Sequence, residues 1–244
     1  MRVLVLADIH ANLAALEAVL GAAGEVDSVW CLGDTVGYGP QPNECVALMR
    51  ERQQAMLVGN HDLGCLGSIS LSNFNRDARI ANEWNGSQLT EENREFLLSL
   101  SPMQQVNDTV TLAHGSPRDP VWEYLLDTVG ATYSFDHFST PICFVGHTHQ
   151  PVIFTADMLG DHCTATIPTD NLVLKLQPDK RYIINAGGVG QPRDGDARSG
   201  WAIYDDEQQT VTFHRTTYNI RRTQTLMLEH GLPNILAARL SFGM

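Results

Sequence analysis

Five apolar runs in the first 150 residues each stop at a short signature of Gly, Asp, Asn or His. The run at 2–7 is followed by Asp8-Ile9-His10, the run at 27–32 by Gly33-Asp34, and the run at 54–58 by Gly59-Asn60-His61-Asp62. The run at 107–113 ends in His114-Gly115, and that at 142–146 in the "GHTH" of Gly146 to His149. Helical patterns separate the first three. Residues 12–22 set Leu13, Leu16 and Leu20 on one face behind Asn12, a suitable N-cap, and residues 43–53 read as a second helix. This β-α-β-α-β order dictates parallel strands joined by right-handed crossovers. Every polar signature then falls at the carboxyl end of a strand, where open α/β sheets place their ligands.

Further β-branched runs at 151–155, 172–176, 181–185, 201–205 and 210–216 have short connections, which implies antiparallel pairing or a second sheet. Two mixed sheets packed face to face, with helices outside, bury both halves in one core: an α/β fold. Residues 71–84 and 90–100 are expected to be helical, the second opened by Thr90 with Glu91 and Glu92 in its first turn. They form a helical insertion at about 65–100. Residues 219–240 read as two short helices split at Gly231 and Pro233. With no linker or repeat, the 244 residues read as a single domain, 1–244.

Charge and composition narrow the function. A net charge of −12 opposes wrapping by long DNA or RNA, whereas a small phosphorylated substrate is admissible if the site supplies its own cation. No apolar run approaches the ~20 residues of a membrane span. The N-terminus, MRVLVLADIH, lacks the longer apolar core and cleavage site of a signal peptide, so a cytoplasmic protein is expected. Its five cysteines include no C-x-x-C pair, which fits buried, reduced thiols and argues against a disulfide framework.

Five of the nine histidines stand in the strand-end signatures. Residues i and i+2 of an extended segment face the same way, so Asp8 and His10 can reach one ion, as can His147 and His149 if that stretch stays extended. Glycines 33, 59 and 146 let the backbone turn sharply and approach a ligand. A donor set of imidazole, carboxylate and amide, without thiolate, favours Mn, Fe, Ni or Zn at five or six coordination over structural tetrahedral zinc. Each signature alone has an ordinary explanation as a turn or a satisfied loop histidine. All five in order point to one site.

The signatures Asp8-x-His10, Gly33-Asp34, Gly59-Asn-His61-Asp62, His114-Gly115 and Gly146-His-Thr-His149 resemble those of the calcineurin-like metallophosphoesterase superfamily. "GDTVGYGPQPNECV", "FNRDARIANEW", "LTEENREFLLSL" and "GGVGQPRDGDARSGWAIYD" are similar to its small bacterial phosphodiesterase branch, so the likeness covers nearly the whole chain. The resemblance implies a four-layer α-β-β-α sandwich and two divalent metal ions, with Mn favoured. It implies that Asp8, His10 and His149 bind one ion, that Asn60, His114 and His147 bind the other, and that Asp34 bridges them. Such a pair, roughly 3.5–4 Å apart, holds a water as hydroxide in line with phosphorus. By the same likeness His61 is a general acid or electrostatic partner for the leaving oxygen, with orientation of Asp34 or a water as the alternative.

Arg118 in "HGSPRDP" and Arg193 in "GQPRDG" are candidate phosphate clamps or solvated loop residues. Asp62 either orients an imidazole or caps the following turn, the turn being favoured, while Phe74, Trp84 and Trp122 read as packing. Two departures stand out. The superfamily's protein phosphatases have an arginine where this chain has Tyr38, which weighs against protein substrates. The branch usually has Pro and Ser where this chain has Ala186 and Gly188. The expected activity is hydrolysis of a small phosphodiester or nucleotide-type substrate. Its rivals are a phosphomonoesterase on the same site and a non-catalytic scaffold.

Overall fold

A computed structural model describes residues 1–52 and 55–244. The last residue of the helix expected at 43–53 and the first of the strand expected at 54–58 lie outside the described residues. The elements run β1 (Arg2–Leu6), α1 (Leu13–Ala23), β2 (Ser28–Cys31), α2 (Pro42–Arg52), β3 (Ala55–Met56) and α3 (Asn60–Leu66). A 3-10 turn (Leu71–Asn73), α4 (Arg76–Gln88) and α5 (Glu91–Leu98) follow, then β4 (Met103–Gln105), β5 (Val110–Ala113), α6 (Thr128–Phe135) and β6 (Ile142–Val145). The chain continues through β7 (Val152–Asp157), β8 (Thr164–Thr166), β9 (Val173–Lys175), β10 (Lys180–Asn185), β11 (Ser199–Asp205) and β12 (Thr210–Thr216). It closes with α7 (Ile220–Glu229) and α8 (Asn234–Arg239).

Two six-stranded sheets result, ordered β3-β2-β1-β11-β12-β9 and β4-β5-β6-β10-β7-β8. As expected, β1, β2 and β3 pair in parallel, and β11, β12 and β9 add antiparallel strands. In the second sheet β5, β6 and β10 are parallel. The strand period of two assigns the faces of β1. Val3 and Val5 join Trp30, Leu112, Phe144, Ile184 and Tyr204 between the sheets. Leu4 and Leu6 face Leu16, Val19 and Met49 of the helical layer. On the far side, Cys143, Val145 and Ile183 pack on Ala131 and Phe135 of α6. The four-layer α-β-β-α sandwich is thereby built from two-sided apolar strands.

Several local expectations need correction. The strand expected at 107–113 starts only at Val110, because Asn107 Oδ1 accepts from the amides of Thr109 and Val110 and makes a turn. The helix expected at 71–84 starts at Arg76, capped by Asn75, whose Oδ1 accepts from Ala78 N at 2.9 Å. Helices α3 and α6 and strands β4 and β8 were not foreseen. The insertion packs on α2 and α3, with Leu89 and Leu97 in the core beneath α1. Among the described residues no helix is long and apolar enough to cross a membrane.

Candidate metal centre

The loops leaving β1, β2, β3, β5 and β6 converge at one end of the sandwich, and both sheets contribute. Backbone bonds zip the first two together: Asp8 N to Gly33 O, His10 N to Asp34 O and Ala11 N to Thr35 O, at 2.8–3.1 Å. The turn after β3 becomes the start of α3. Asp62 accepts from Gly59 N with one oxygen and Val36 N with the other, both at 2.9 Å, so the turn reading of Asp62 holds.

The extended-chain account of Asp8-x-His10 and His147-x-His149 is wrong. Asp8, His10, Asp34, His147 and His149 all have φ between 49° and 64°. This left-handed region is uncommon for residues with a Cβ and costs on the order of 1–3 kcal/mol at each position. These kinks aim the side chains, and they send His147 and His149 to different groups. Asp8, His10, Asp34 and His149 form one cluster of donor atoms within 4.8 Å of one another; Asp34, His114 and His147 form a second. Gly33 adopts the positive φ expected of it, whereas Gly59 serves by closeness: a Cβ there would meet Asp34 Oδ1 at 2.1 Å.

Hydrogen bonds fix which nitrogen of each ring looks inward. Nδ1 of His10, His114 and His149 lies 3.2, 2.8 and 2.6 Å from the carbonyls of Val36, Leu32 and Gln191. A carbonyl only accepts, so each Nδ1 carries the proton and each Nε2 a lone pair. His147 is reversed, with Nε2 donating to Trp122 O at 3.2 Å and Nδ1 left for the centre. The two lone-pair nitrogens Nε2 of His10 and His149 therefore face each other at 3.2 Å. Asn60 Oδ1 lies 3.1 Å from His114 Nε2, and Asp34 Oδ2 lies 3.7 Å from His10 Nε2 and 3.5 Å from His114 Nε2.

Protons do not relieve this crowding. Burial pushes His10 and His149 well below the ordinary imidazole range and His147 down to about 2. Burial likewise raises Asp8 to about 7 and Asp34 well above the carboxylate range. The close contacts of His10 with Asp34 and of His149 with Asp8 are therefore not ion pairs between charged groups. Asp8 Oδ2 and Asp34 Oδ2 are buried without hydrogen-bond partners, their sister oxygens accepting from His147 N and His61 N. Facing lone pairs and orphaned carboxylate oxygens are what a bound cation would satisfy, so the donor set fits metal.

His61 is buried beside the clusters, its Nδ1 donating to Asn82 Oδ1 at 2.8 Å and its ring 4.9 Å from those of His10 and Phe74. Burial holds it down to about 3, so Nε2 is its free nitrogen at neutral pH. Arg118 is not brought to the centre by any described contact; its guanidinium pairs with Glu123. Arg193 does lie there, its Nη2 3.4 Å from the hydroxyl of Tyr38, whose ring sits 4.3 Å from His61.

Sequence reasoning missed four contributors. Asn82 orients His61. Asn185, at the end of β10, donates to Gly146 O and Thr148 Oγ1 at 2.7 and 3.0 Å and accepts from Gly187 N, which pins the "GHTH" turn. Tyr124, half-exposed, stacks on His147 at 4.0 Å. Arg239 approaches from α8. Only the asparagines had a signal, and a strand-end Asn ordinarily reads as a turn. Gly188 lies against His149: a Cβ there would come within 3.0 Å of His149 Cβ, so the serine usual at this position would press on that ring.

Residues 1–209 match the calcineurin-like phosphoesterase superfamily domain. An uncharacterized protein of Methanocaldococcus jannaschii is 37% identical over 251 residues, covering 98% of this chain and 97% of that one. The crystal structure of a metallophosphoesterase from Sphaerobacter thermophilus superposes with a TM-score of 0.90 at 47% identity, covering 100% and 99% of the two chains. A hypothetical protein of Pyrococcus horikoshii superposes with a TM-score of 0.80 over 100% and 98%, though only 18% identical, a likeness of fold alone.

Proposed function

Because the chain belongs to the calcineurin-like phosphoesterase superfamily, we propose that it is a dinuclear metal-dependent phosphohydrolase for small phosphodiester or nucleotide-type substrates. The observation that carries this reading is Asp34, the one carboxylate common to both donor clusters. Asp8, His10 and His149 would hold one divalent ion, and Asn60, His114 and His147 the other; the mixed donors suit Mn, Fe, Ni or Zn, and the family resemblance favours Mn. Two such ions supply an activated water and charge for the phosphoryl oxygens.

The protein's own groups do the rest. The carbonyls of Val36, Leu32 and Gln191 keep three imidazoles in the ligating tautomer, so no change of tautomer is needed when the site fills. His61 stands ready at the leaving oxygen. Its Nε2 takes up a proton against the desolvation penalty, which the negative charge of a bound phosphoryl group offsets. Arg193 adds a guanidinium for non-bridging oxygens.

Turnover of bis(p-nitrophenyl) phosphate and p-nitrophenyl phosphate, with added Mn²⁺ and with a chelator, tests the proposal. The diester is expected to be cleaved, with Mn²⁺ and not with chelator. A large preference for the monoester would replace diesterase by phosphatase, and metal-independent inertness toward both would favour a scaffold.

A further inference from the structure

Tyr124 is 49% exposed, yet its ring is held in place. It stacks on the imidazole of His147 with ring centres 4.0 Å apart and planes 24° from parallel. One face of the phenol is thereby covered by a residue of the second donor cluster. Among the described residues no other ring packs on it, and its exposure belongs to the opposite face, at the rim of the centre.

The loop that carries Tyr124 is pinned on both sides of it. Glu123 accepts from the Ser116 hydroxyl and the Arg118 guanidinium, while Leu125 is buried with Ala131 and Phe135 of α6. Asp119 Oδ1 accepts from the amides of Val121 and Trp122 at 3.2 and 3.1 Å, and Trp122 O receives His147 Nε2. Trp122 packs on Phe74 at 5.3 Å, and Phe74 on His61 at 4.9 Å. This side of the rim is therefore aromatic and set in advance. Covering one face of Tyr124 stabilises the fold, but the other face contributes nothing until something removes it from water.

The position of that open face limits what can cover it. A further ring stacked there at the usual spacing of ~4.5 Å stands roughly 8–9 Å from the centre of the His147 ring. With phosphorus at the donor clusters, an aryl group bonded directly to a phosphoryl oxygen falls short of this span, whereas a base carried on a ribose bridges it. Every nucleobase has a π-face, so a phenol platform holds the base without reading its edges. We propose that Tyr124 is the base-stacking platform of the site and determines its specificity. The assignment rests on the phosphohydrolase reading above and makes the substrate a nucleotide, in preference to a sugar phosphate.

Calorimetric titration of the Mn²⁺-saturated protein with phosphonates tests this without turnover. The ligands are the analogues of AMP and of ribose 5-phosphate in which carbon replaces the ester oxygen. The AMP analogue is expected to bind at least tenfold tighter than the ribose analogue. Tyr124→Leu, which keeps an apolar cover on His147, should bring the two within about twofold, and Tyr124→Trp should retain the gap. Tyr124→Gln gives the same comparison if Tyr124→Leu does not fold. Equal binding of both analogues by the wild type, binding of neither, or a tenfold gap that survives in a folded Tyr124→Leu protein would overturn the platform. Failure to hydrolyse any phosphoester, with the gap present, would defeat the enzymatic reading alone.

Discussion

Asn185 makes the point that a residue outside the donor clusters can decide their geometry. Its amide holds Gly146 O and Thr148 Oγ1 from one side while its carbonyl holds Gly187 N, all within a fully buried turn. The two histidines beside it sit in left-handed conformations that they do not prefer, so the turn needs this external brace. Asn185→Ala is expected to weaken Mn²⁺ binding by about 10–100-fold, as loss of a ligand-orienting contact does. Competition against a fluorescent chelator measures it, and an unchanged affinity would show that the turn holds itself.

At the scale of elements, α3 depends on one side chain. Asp62 joins the amide of Gly59 at the helix start to that of Val36 in the preceding loop. Asp62→Ala leaves two buried N–H groups unpaired and should cost about 1–3 kcal/mol for each, read from urea unfolding of the metal-loaded protein. A loss under about 0.5 kcal/mol would mean that water replaces the carboxylate. The same element shows how far sequence reasoning reaches. Strand ends were legible because apolar runs stop sharply at Gly, Asp and His, and those stops mark where Asp8, Asp34, Asn60, His114 and His147 emerge. The aim of those side chains was not legible, since no local rule makes an aspartate or a histidine adopt positive φ. Helix α6, of sequence TVGATYSF, has no apolar period, and β8 is three exposed residues; neither carries the pattern that betrays a buried element. Asn82 reaches His61 only because α4 folds back on α3, a contact between segments 21 residues apart that spacing does not encode.

For the whole molecule, the centre makes stability depend on pH in two opposed ways. His10, His61, His147 and His149 are held below 6.5, so as pH falls through that value the unfolded chain takes up protons that the folded chain refuses, and stability is lost. Asp8, Asp34 and Asp62 are held above 3.8. The folded chain keeps their protons after the unfolded chain has released them, so stability falls as pH rises, for Asp8 until about 7. Four imidazoles outnumber three carboxyls below 6.5; above it the imidazoles no longer act, while Asp8 acts to about 7 and Asp34 is held well above the carboxylate range. The chelated protein should therefore have its highest Tm near pH 6.5, with a decline on both sides. Mn²⁺ bound as proposed would hold Asp8 and Asp34 ionised, so the loaded protein should show no decline between pH 6.5 and 8. Thermal melts of both forms from pH 5 to 9 check this, and parallel profiles would disprove it.

The two sheets share no strand, and their ends meet where Asp8 and Asp34 from one approach His114, His147 and His149 from the other. On the proposed dinuclear reading, a cation pair gripped there would act as a rivet through two leaves. Sliding one leaf over the other by even an ångström would then tear donors from their ions, so loading the protein would also lock the relative position of its two halves.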